Sequence, residues 1–463
     1  MSLWSLPTIA GHLGARLTGG EEIIPSSLSL DTRTLQPGAC FVAIRAQRDG
    51  HDFAAAAVER GATALLVDHE LDLPVPQLVV ADTVQALQRW GQARLEAFRP
   101  PTVFGVTGSV GKTSTKDLLA SATGAWKTPG NRNNTLGLPE ALATLPPEVP
   151  AVVLEMGMSS PGEIRRLTEI GPLDMGIITN VGTAHIEFFP DGQEGIARAK
   201  GELVEGIRTG GRWVHLASDP WCRWIALQPW ARHAEAVGVG EGHAFGWEAA
   251  ESLGPKGERF RLRTPGGLLE VSLKLRGSHH VRNAALAATA AILAGHAPEP
   301  VVRGLEAVEP GKGRGRLHAL KDGGWLLDES YNASPDSILA CAGSLLELEG
   351  GDPVAVLGCM REQGSEAERL HRETGEGLRK AGIRRLWVYG DHARTLAEGF
   401  GEGARPFPDF PSLRDDPSGL TTLPKGARIL VKGSLFWQAE RVVTWILGEH
   451  GDCPPVRSGE ILG

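Results

Sequence analysis

The run Thr107-Gly108-Ser109-Val110-Gly111-Lys112-Thr113-Ser114 contains the residue types that hold a phosphate chain. Glycines let successive backbone N–H groups turn toward phosphate oxygens. A lysine then reaches the outer phosphates, and the next hydroxyl can hold Mg²⁺. This chemistry needs a strand before the loop and a helix after it, because the helix N-terminus adds positive potential. Both are present: residues 102–106 are a short apolar run with β-branched members, and a helix-like stretch opens at Lys112. Val106 stands where the general pattern has its first glycine, so the alternative is a tight strand-to-helix turn with a surface lysine.

Glu155 ends the apolar run 151–154, and His185 follows the run 176–179. Open parallel sheets bind ligands beyond the carboxyl ends of their strands, where both residues fall. A carboxylate and an imidazole beside an ATP phosphate are candidate Mg²⁺ ligands, the imidazole being the less usual for so hard an ion. Taken singly, a strand-end glutamate reads as solvated and a loop histidine as a cap. The phosphate loop beside them favours the metal pair. Lys200 lies on a helical stretch, and its spacing marks it only as a helical lysine.

The elements that must position these groups follow from periodicity. Strands at 102–106, 151–154 and 176–179 alternate with helices from 112, at 162–170 and at 195–207. Buried runs separated by helices imply a parallel sheet covered on both faces. The pattern recurs with strands at 325–328, 354–357, 386–389 and 429–431 and a helix at 365–381, which reads as a second doubly wound, Rossmann-like unit. The first segment is mixed, with strands near 40–44, 64–67 and 78–80 and a helix at 53–60. After a helix at 84–98 comes a linker at 99–101, and a second linker spans 309–315; both are rich in Pro or Gly. The expected fold class is α/β with three domains: a small mixed α/β unit at 1–99, a central P-loop sheet at 100–310 and a Rossmann-like unit at 311–463. The tail from Asp452 reads as loose.

A net charge of -8 argues against a general nucleic-acid or anionic-membrane surface. The five cysteines are far apart, so neither a zinc site nor a disulfide framework is implied. No apolar run is long enough to span a bilayer, and the start lacks the layout of a signal peptide. A cytoplasmic protein, acting as a monomer and without nucleic-acid or membrane partners, is the expectation.

Together these residues resemble the Mur ligase family, whose own phosphate loop reads TGxxGKT and has no glycine at the Val106 position. The resemblance runs along nearly the whole chain. Asp31-Thr32-Arg33 and Gly50-His51-Asp52-Phe53 look like the UDP-binding domain of the later-acting members. The segment Asn131-Arg132-Asn133-Asn134-Thr135 looks like the family's stretch after the phosphate loop. Asp328-Glu329-Ser330-Tyr331-Asn332-Ala333-Ser334-Pro335 is similar to the stretch found in members that add D-alanyl-D-alanine, and unlike the DYAH stretch of the preceding ligase.

The resemblance implies roles. Lys112 and Thr113 would meet phosphate and Mg²⁺, and Glu155 and His185 would ligate metal. Lys200 falls where the family carries a carbamoylated lysine, an anion able to hold a second Mg²⁺. Asn283 matches an adenine-contacting position, while Arg316 and Asp328 match contacts to ATP phosphate and ribose. Asn133, Asn134, Tyr331, Asn332 and Ser334 would surround the substrates, with Asp31, Thr32 and Arg33 at the UDP end. The implied activity is ATP-dependent ligation of D-alanyl-D-alanine to UDP-N-acetylmuramoyl-tripeptide, a step in peptidoglycan precursor synthesis. Departures are His280, Glu329, Gly358-Cys359-Met360 and, most notably, Leu435 where the family usually has arginine. Losing that arginine fork removes a bidentate contact near a substrate carboxylate. The alternatives are a related ligase adding another amino acid, another class of P-loop protein, and a non-catalytic nucleotide-binding relative.

Overall fold

A computed structural model describes residues 4–450 apart from 21, 322, 417–422 and 424. The expected loose tail from Asp452 lies outside the described residues.

The strand Val103–Thr107 is buried at every position, as a strand covered on both faces must be. Its side chains alternate between two cores. Val103 joins one cluster with Val152, Leu154 and Leu173, and Phe104 joins the other with Val153, Met175 and Val214. The strand sits inside a six-stranded parallel sheet. The order across it is Glu235–Val239, Ile207–Leu216, Leu173–Ile178, Val103–Thr107, Val152–Glu155, Trp126–Lys127. Chain order reverses around Val103–Thr107, which makes its carboxyl end a switch point and therefore a ligand crevice.

The C-terminal sheet has the same logic. Its order is Arg316–Ala319, Trp325–Glu329, Arg428–Lys432, Pro353–Gly358, Arg385–Tyr389, Ala404–Phe407, parallel except for the first strand. The N-terminal sheet is shorter: Arg16–Leu17, Gln77–Val79, Ala64–Val67, Cys40–Val42, Leu28–Ser29, with Arg16–Leu17 antiparallel. No helix among the described residues is long and apolar enough to cross a membrane.

Several boundaries differ from expectation for local reasons. The helix expected at 53–60 is a 3-10 turn, Gly50–Phe53, followed by Ala54–Glu59, because Asp49 accepts from the His51 backbone N–H and tightens the first turn. The helix expected to reach 207 ends at Glu205. Gly206 packs where a Cβ would lie 2.2 Å from Thr168, and Ile207 opens the next strand.

One part was absent from the sequence reading. Gly246–Ser252, Glu258–Thr264 and Gly267–Leu273 form a three-stranded antiparallel sheet. Its inner residues Phe260, Leu262, Val271 and Leu273 pack on the Ala-rich helix Ser278–Leu293. The alternation of Phe260 and Leu262 with Arg259, Arg261 and Arg263 was the available signal.

The helix after the phosphate loop, Lys112–Thr123, is braced by Pro298–Glu306, and this contact needs a glycine. A Cβ on Gly304 would lie 2.4 Å from Ser121 O and 2.5 Å from Ala122 Cα, both backbone atoms that cannot swing aside. Gly304→Ala should therefore destabilise the central unit by about 1–3 kcal/mol, the usual cost of overpacking. Calorimetry should show a lowered transition for that unit; an unchanged one would mean the two helices separate freely.

Candidate active site

The phosphate loop is shaped before any ligand arrives. Gly108 has φ 150 and Gly111 φ 86, backbone that favours glycine. Space agrees: a Cβ on Gly108 would lie 1.8 Å from Thr179 Oγ1, and one on Gly111 2.8 Å from Asn283 Oδ1. The end of the neighbouring strand holds the loop's middle. Thr179 Oγ1 donates to Val110 O at 2.6 Å, and Asn180 accepts from Val110 N at 3.0 Å and donates to Val110 O at 2.9 Å. Lys112 Nζ curls over the loop and donates to Gly108 O at 2.7 Å. Burial lowers the Lys112 pKa, Glu155 opposes that, and Arg314 adds to it.

Glu155 is almost fully buried at the end of its strand. Its Oε2 accepts from Thr113 Oγ1 at 2.9 Å and lies 3.0 Å from Lys116 Nζ, and its Oε1 accepts from Asn133 Nδ2 at 2.9 Å. Lys116 also donates to Thr128 O and Gly130 O, at 3.0 and 2.9 Å. Burial pushes the Glu155 carboxyl up, but Lys116, Lys112 and these hydrogen bonds outweigh it, leaving the pKa below the usual value. Thr113 and Glu155 thus put two hard oxygen donors together beside the loop, the donor type Mg²⁺ takes.

The facing wall belongs to the C-terminal sheet. The Arg314 guanidinium lies 3.7 Å from the Tyr331 ring centroid. Asn332 Oδ1 accepts from Ala333 N, and Ser334 opens the helix Pro335–Leu346 in a capping box with Ser337. That helix start reaches the central unit: a Cβ on Gly182 would lie 2.4 Å from Asp336 Oδ2. His185, with φ 67, places Nδ1 2.5 Å from Glu362 Oε2.

Between these walls is a cleft of about 1010 Å³. Ser109 to Ser114, Asn133, Asn134, Glu155, His185, Asn283, Tyr331, Asn332 and Ser334 all line it. Asn134 spends its side chain capping the helix Gly137–Ala143, accepting from Leu136 N and Gly137 N. Thr107 and Gly108 lie beneath the lining.

Other residues from the sequence reading lie elsewhere. Lys200 is buried on the helix Gly192–Glu205 but does not line the cleft. Burial pushes its pKa far down, Lys112 adds to that, and its amine meets no hydrogen-bond or ion-pair partner among the described residues. Arg316 is exposed on an edge strand and does not line the cleft, whereas Arg314 does, as does Arg361. Asp328 is buried and clamps the linker, accepting from Gly313 N and from Ser330 N and Oγ. Asp31, Thr32 and Arg33 are in the N-terminal unit, where Arg33 folds back as a fork on Asp31 and Thr32 O accepts from Arg60.

Three site residues escaped the sequence reading. Lys116 stands one turn after Lys112 on the same helix face, and that spacing was the available signal. Arg314 was hidden in a glycine-rich stretch read only as a linker. Glu362 carries no local signal.

Because the folded pKa of Glu155 is lowered, its stabilisation is present above the unfolded value of about 4.3 and fades as pH falls through the lowered value. In Lys116→Met the largest opposing charge is gone, burial dominates, and the carboxyl pKa rises. We expect a loss of about 3–5 kcal/mol, typical when one partner of a buried pair is removed. Urea unfolding across a pH series should show the Glu155 contribution reversed in the variant, with stability gained rather than lost as pH falls through the raised value; coincident profiles would remove Lys116 from this role.

Known proteins can now be set beside this geometry. Residues 26–107 match the model described as Mur ligase family, catalytic domain, residues 106–291 the Mur ligase middle domain, and residues 313–435 the Mur ligase, glutamate ligase domain. The chain is 34% identical over 453 residues to the UDP-N-acetylmuramoyl-tripeptide–D-alanyl-D-alanine ligase of Escherichia coli strain K12, covering 94% of this chain and 96% of that one. Identity to the enzyme of the same name from Bacillus subtilis strain 168 is 32%, over 82% and 83% of the two chains. The crystal structure of MurF from Acinetobacter baumannii superposes with a TM-score of 0.87 at 31% identity, covering 95% of this chain and 98% of that one. MurF from Thermotoga maritima in complex with ADP gives 0.79 at 28% identity, over 91% and 97%. Sequence, domain models and superposition converge: this chain belongs to the Mur ligase family.

Proposed function

We propose that the chain is an ATP-dependent ligase that joins D-alanyl-D-alanine to UDP-N-acetylmuramoyl-tripeptide through an acyl phosphate, in the cytoplasmic assembly of peptidoglycan precursors. One observation carries this reading: a preformed phosphate loop and the Tyr331–Asn332–Ser334 turn face each other across a single cleft. The names of the relatives support the two substrates, and the ADP-bound neighbour supports the nucleotide.

A carboxylate and an amine do not condense in water without activation. Transfer of the γ-phosphoryl of ATP to the tripeptide carboxylate forms an acyl phosphate and releases ADP. Lys112, the loop N–H groups and Arg314 neutralise the charge that develops. The Thr113 hydroxyl and the Glu155 carboxylate, with carbamoylated Lys200 as a further oxygen donor, would hold Mg²⁺, which would supply further neutralisation of that charge. The partnerless, buried amine of Lys200 favours the uncharged form, which is the form that takes up CO₂. We leave His185 with Glu362 rather than the metal, since an imidazole suits Mg²⁺ poorly and its Nδ1 lies against the Glu362 carboxylate.

The neutral amine of the dipeptide then attacks the acyl carbon. Phosphate leaves, the amine loses its proton, and the amide remains. Asn283, packed against Gly111, suits the adenine side of the nucleotide. We assign residues 1–99 to the UDP end of the substrate. We take the catalyst to be a monomer.

Phosphate release should require both UDP-muramoyl-tripeptide and D-alanyl-D-alanine; release that ignores the dipeptide would reject the assignment. Lys112→Ala should lower turnover by about 10²–10³-fold, the usual loss for one transition-state donor. Its affinity for the UDP substrate, read by calorimetry, should stay near the wild-type value.

A further inference from the structure

Large apolar side chains rarely stay exposed together without a reason. Among the described residues seven are exposed, and three of them, Phe188, Leu435 and Phe436, line the same cleft. Leu435 and Phe436 are 56% and 62% exposed. They are not a loose end. They open the 3-10 turn Leu435–Trp437, and its third residue anchors it. Trp437 packs so closely that a Cβ on Gly390 would lie 2.7 Å from its ring and one on Gly358 2.9 Å from its Cβ. Tyr389 Oη donates to Trp437 O at 3.4 Å. The turn is therefore fixed with its two apolar side chains outward.

Arg361 lies on this apolar wall. Its guanidinium carbon is 4.3 Å from the centroid of the Phe436 ring, and Nη1 donates to Asp391 Oδ2 at 3.0 Å. Nε and Nη2 have no hydrogen-bond partner among the described residues. The Asp391 contact is an open one, with side chains 44% and 61% exposed, and such pairs contribute little. The fork is thus oriented by a ring and a carboxylate, with its other edge free.

The remaining cations of the cleft are placed for other work. Lys112 is in the phosphate loop. Arg314 is close enough to Lys112 to depress its pKa. Lys432 is buried, 3.7 Å from Glu329. A free guanidinium edge beside an apolar wall fits a small ligand that ends in a carboxylate and carries an apolar side chain next to it.

We propose that Arg361, steadied by Phe436 and Asp391, binds the free carboxylate of the amine substrate, while Leu435 and Phe436 cover the apolar side chain of its last residue. This rests on the ligase reading above and adds its amine-side specificity. The carboxylate takes no part in bond making; the fork selects acceptors that have one and sets the distance of the amine from the acyl carbon.

The test compares D-alanyl-D-alanine with its C-terminal amide as acceptors, in the wild type, Arg361→Met and Arg361→Lys. The wild type should prefer the free acid by about 10- to 100-fold in kcat/KM, the range for a charge-assisted contact. Arg361→Met should lose most of that preference through a raised KM for the free acid, with KM for ATP and the UDP substrate unchanged. Arg361→Lys, which keeps the charge and loses the fork, should fall between. An active wild type whose preference survives Arg361→Met overturns the role of Arg361 alone. A wild type that joins neither acceptor overturns the ligase reading and this inference with it.

Discussion

The site is organised around one buried charge. Glu155 ends a central strand almost out of reach of water, where an unpaired carboxylate would cost several kcal/mol. Its neutralisation draws three segments together. Lys116 and Thr113 come from the phosphate-loop helix, Asn133 from the loop after the edge strand, and Thr128 Oγ1 accepts from the Glu155 N–H. Lys116 also bonds to the carbonyls of Thr128 and Gly130, so the same ammonium closes that loop over the strand end. The phosphate loop, the metal-type oxygen donors and the floor of the cleft are thus parts of one electrostatic arrangement.

The second constraint is geometric. The carboxyl ends of two parallel sheets point into one cleft: Glu155 ends a strand of the central sheet, and Glu329 and Lys432 end strands of the other. Each end is an opening that side chains from the loops can fill. What joins the two units there is small and polar. His185 pairs with Glu362, Asp336 meets Gly182, and Ser344 meets Gly277, where a Cβ would lie 1.9 Å from its Oγ. Contacts of this kind set a distance between the units without merging their cores, which suits a site that must admit large substrates and then exclude water from a reactive acyl phosphate.

Much of this was legible in the residue order. The buried runs at 102–106, 151–154, 325–328 and 354–357 are strands within a residue or two, because short runs apolar on both faces and bounded by turn residues suit a covered parallel sheet. The loop from Thr107 to Thr113 was legible because its glycines answer a local need, a backbone conformation and a close approach. The antiparallel sheet from Gly246 to Leu273 was less legible, because Phe260 and Leu262 alternate with arginines over only one strand and its pairing partners are set by packing on the helix Ser278–Leu293.

Taken by itself, the sequence determined the two doubly wound sheets, the phosphate loop and the strand-end positions of Glu155 and His185, all of which follow from periodicity and local backbone need. Tertiary structure decided which charges meet. Lys116 is the near charged partner of Glu155, His185 turns to Glu362, Arg314 lines the cleft while Arg316 does not, and Asp328 clamps a linker. The reason is physical: a side chain's role in a site depends on burial and on partners distant in the chain, here separated by as many as 177 positions between His185 and Glu362 (362 − 185), and no local pattern encodes such a pairing.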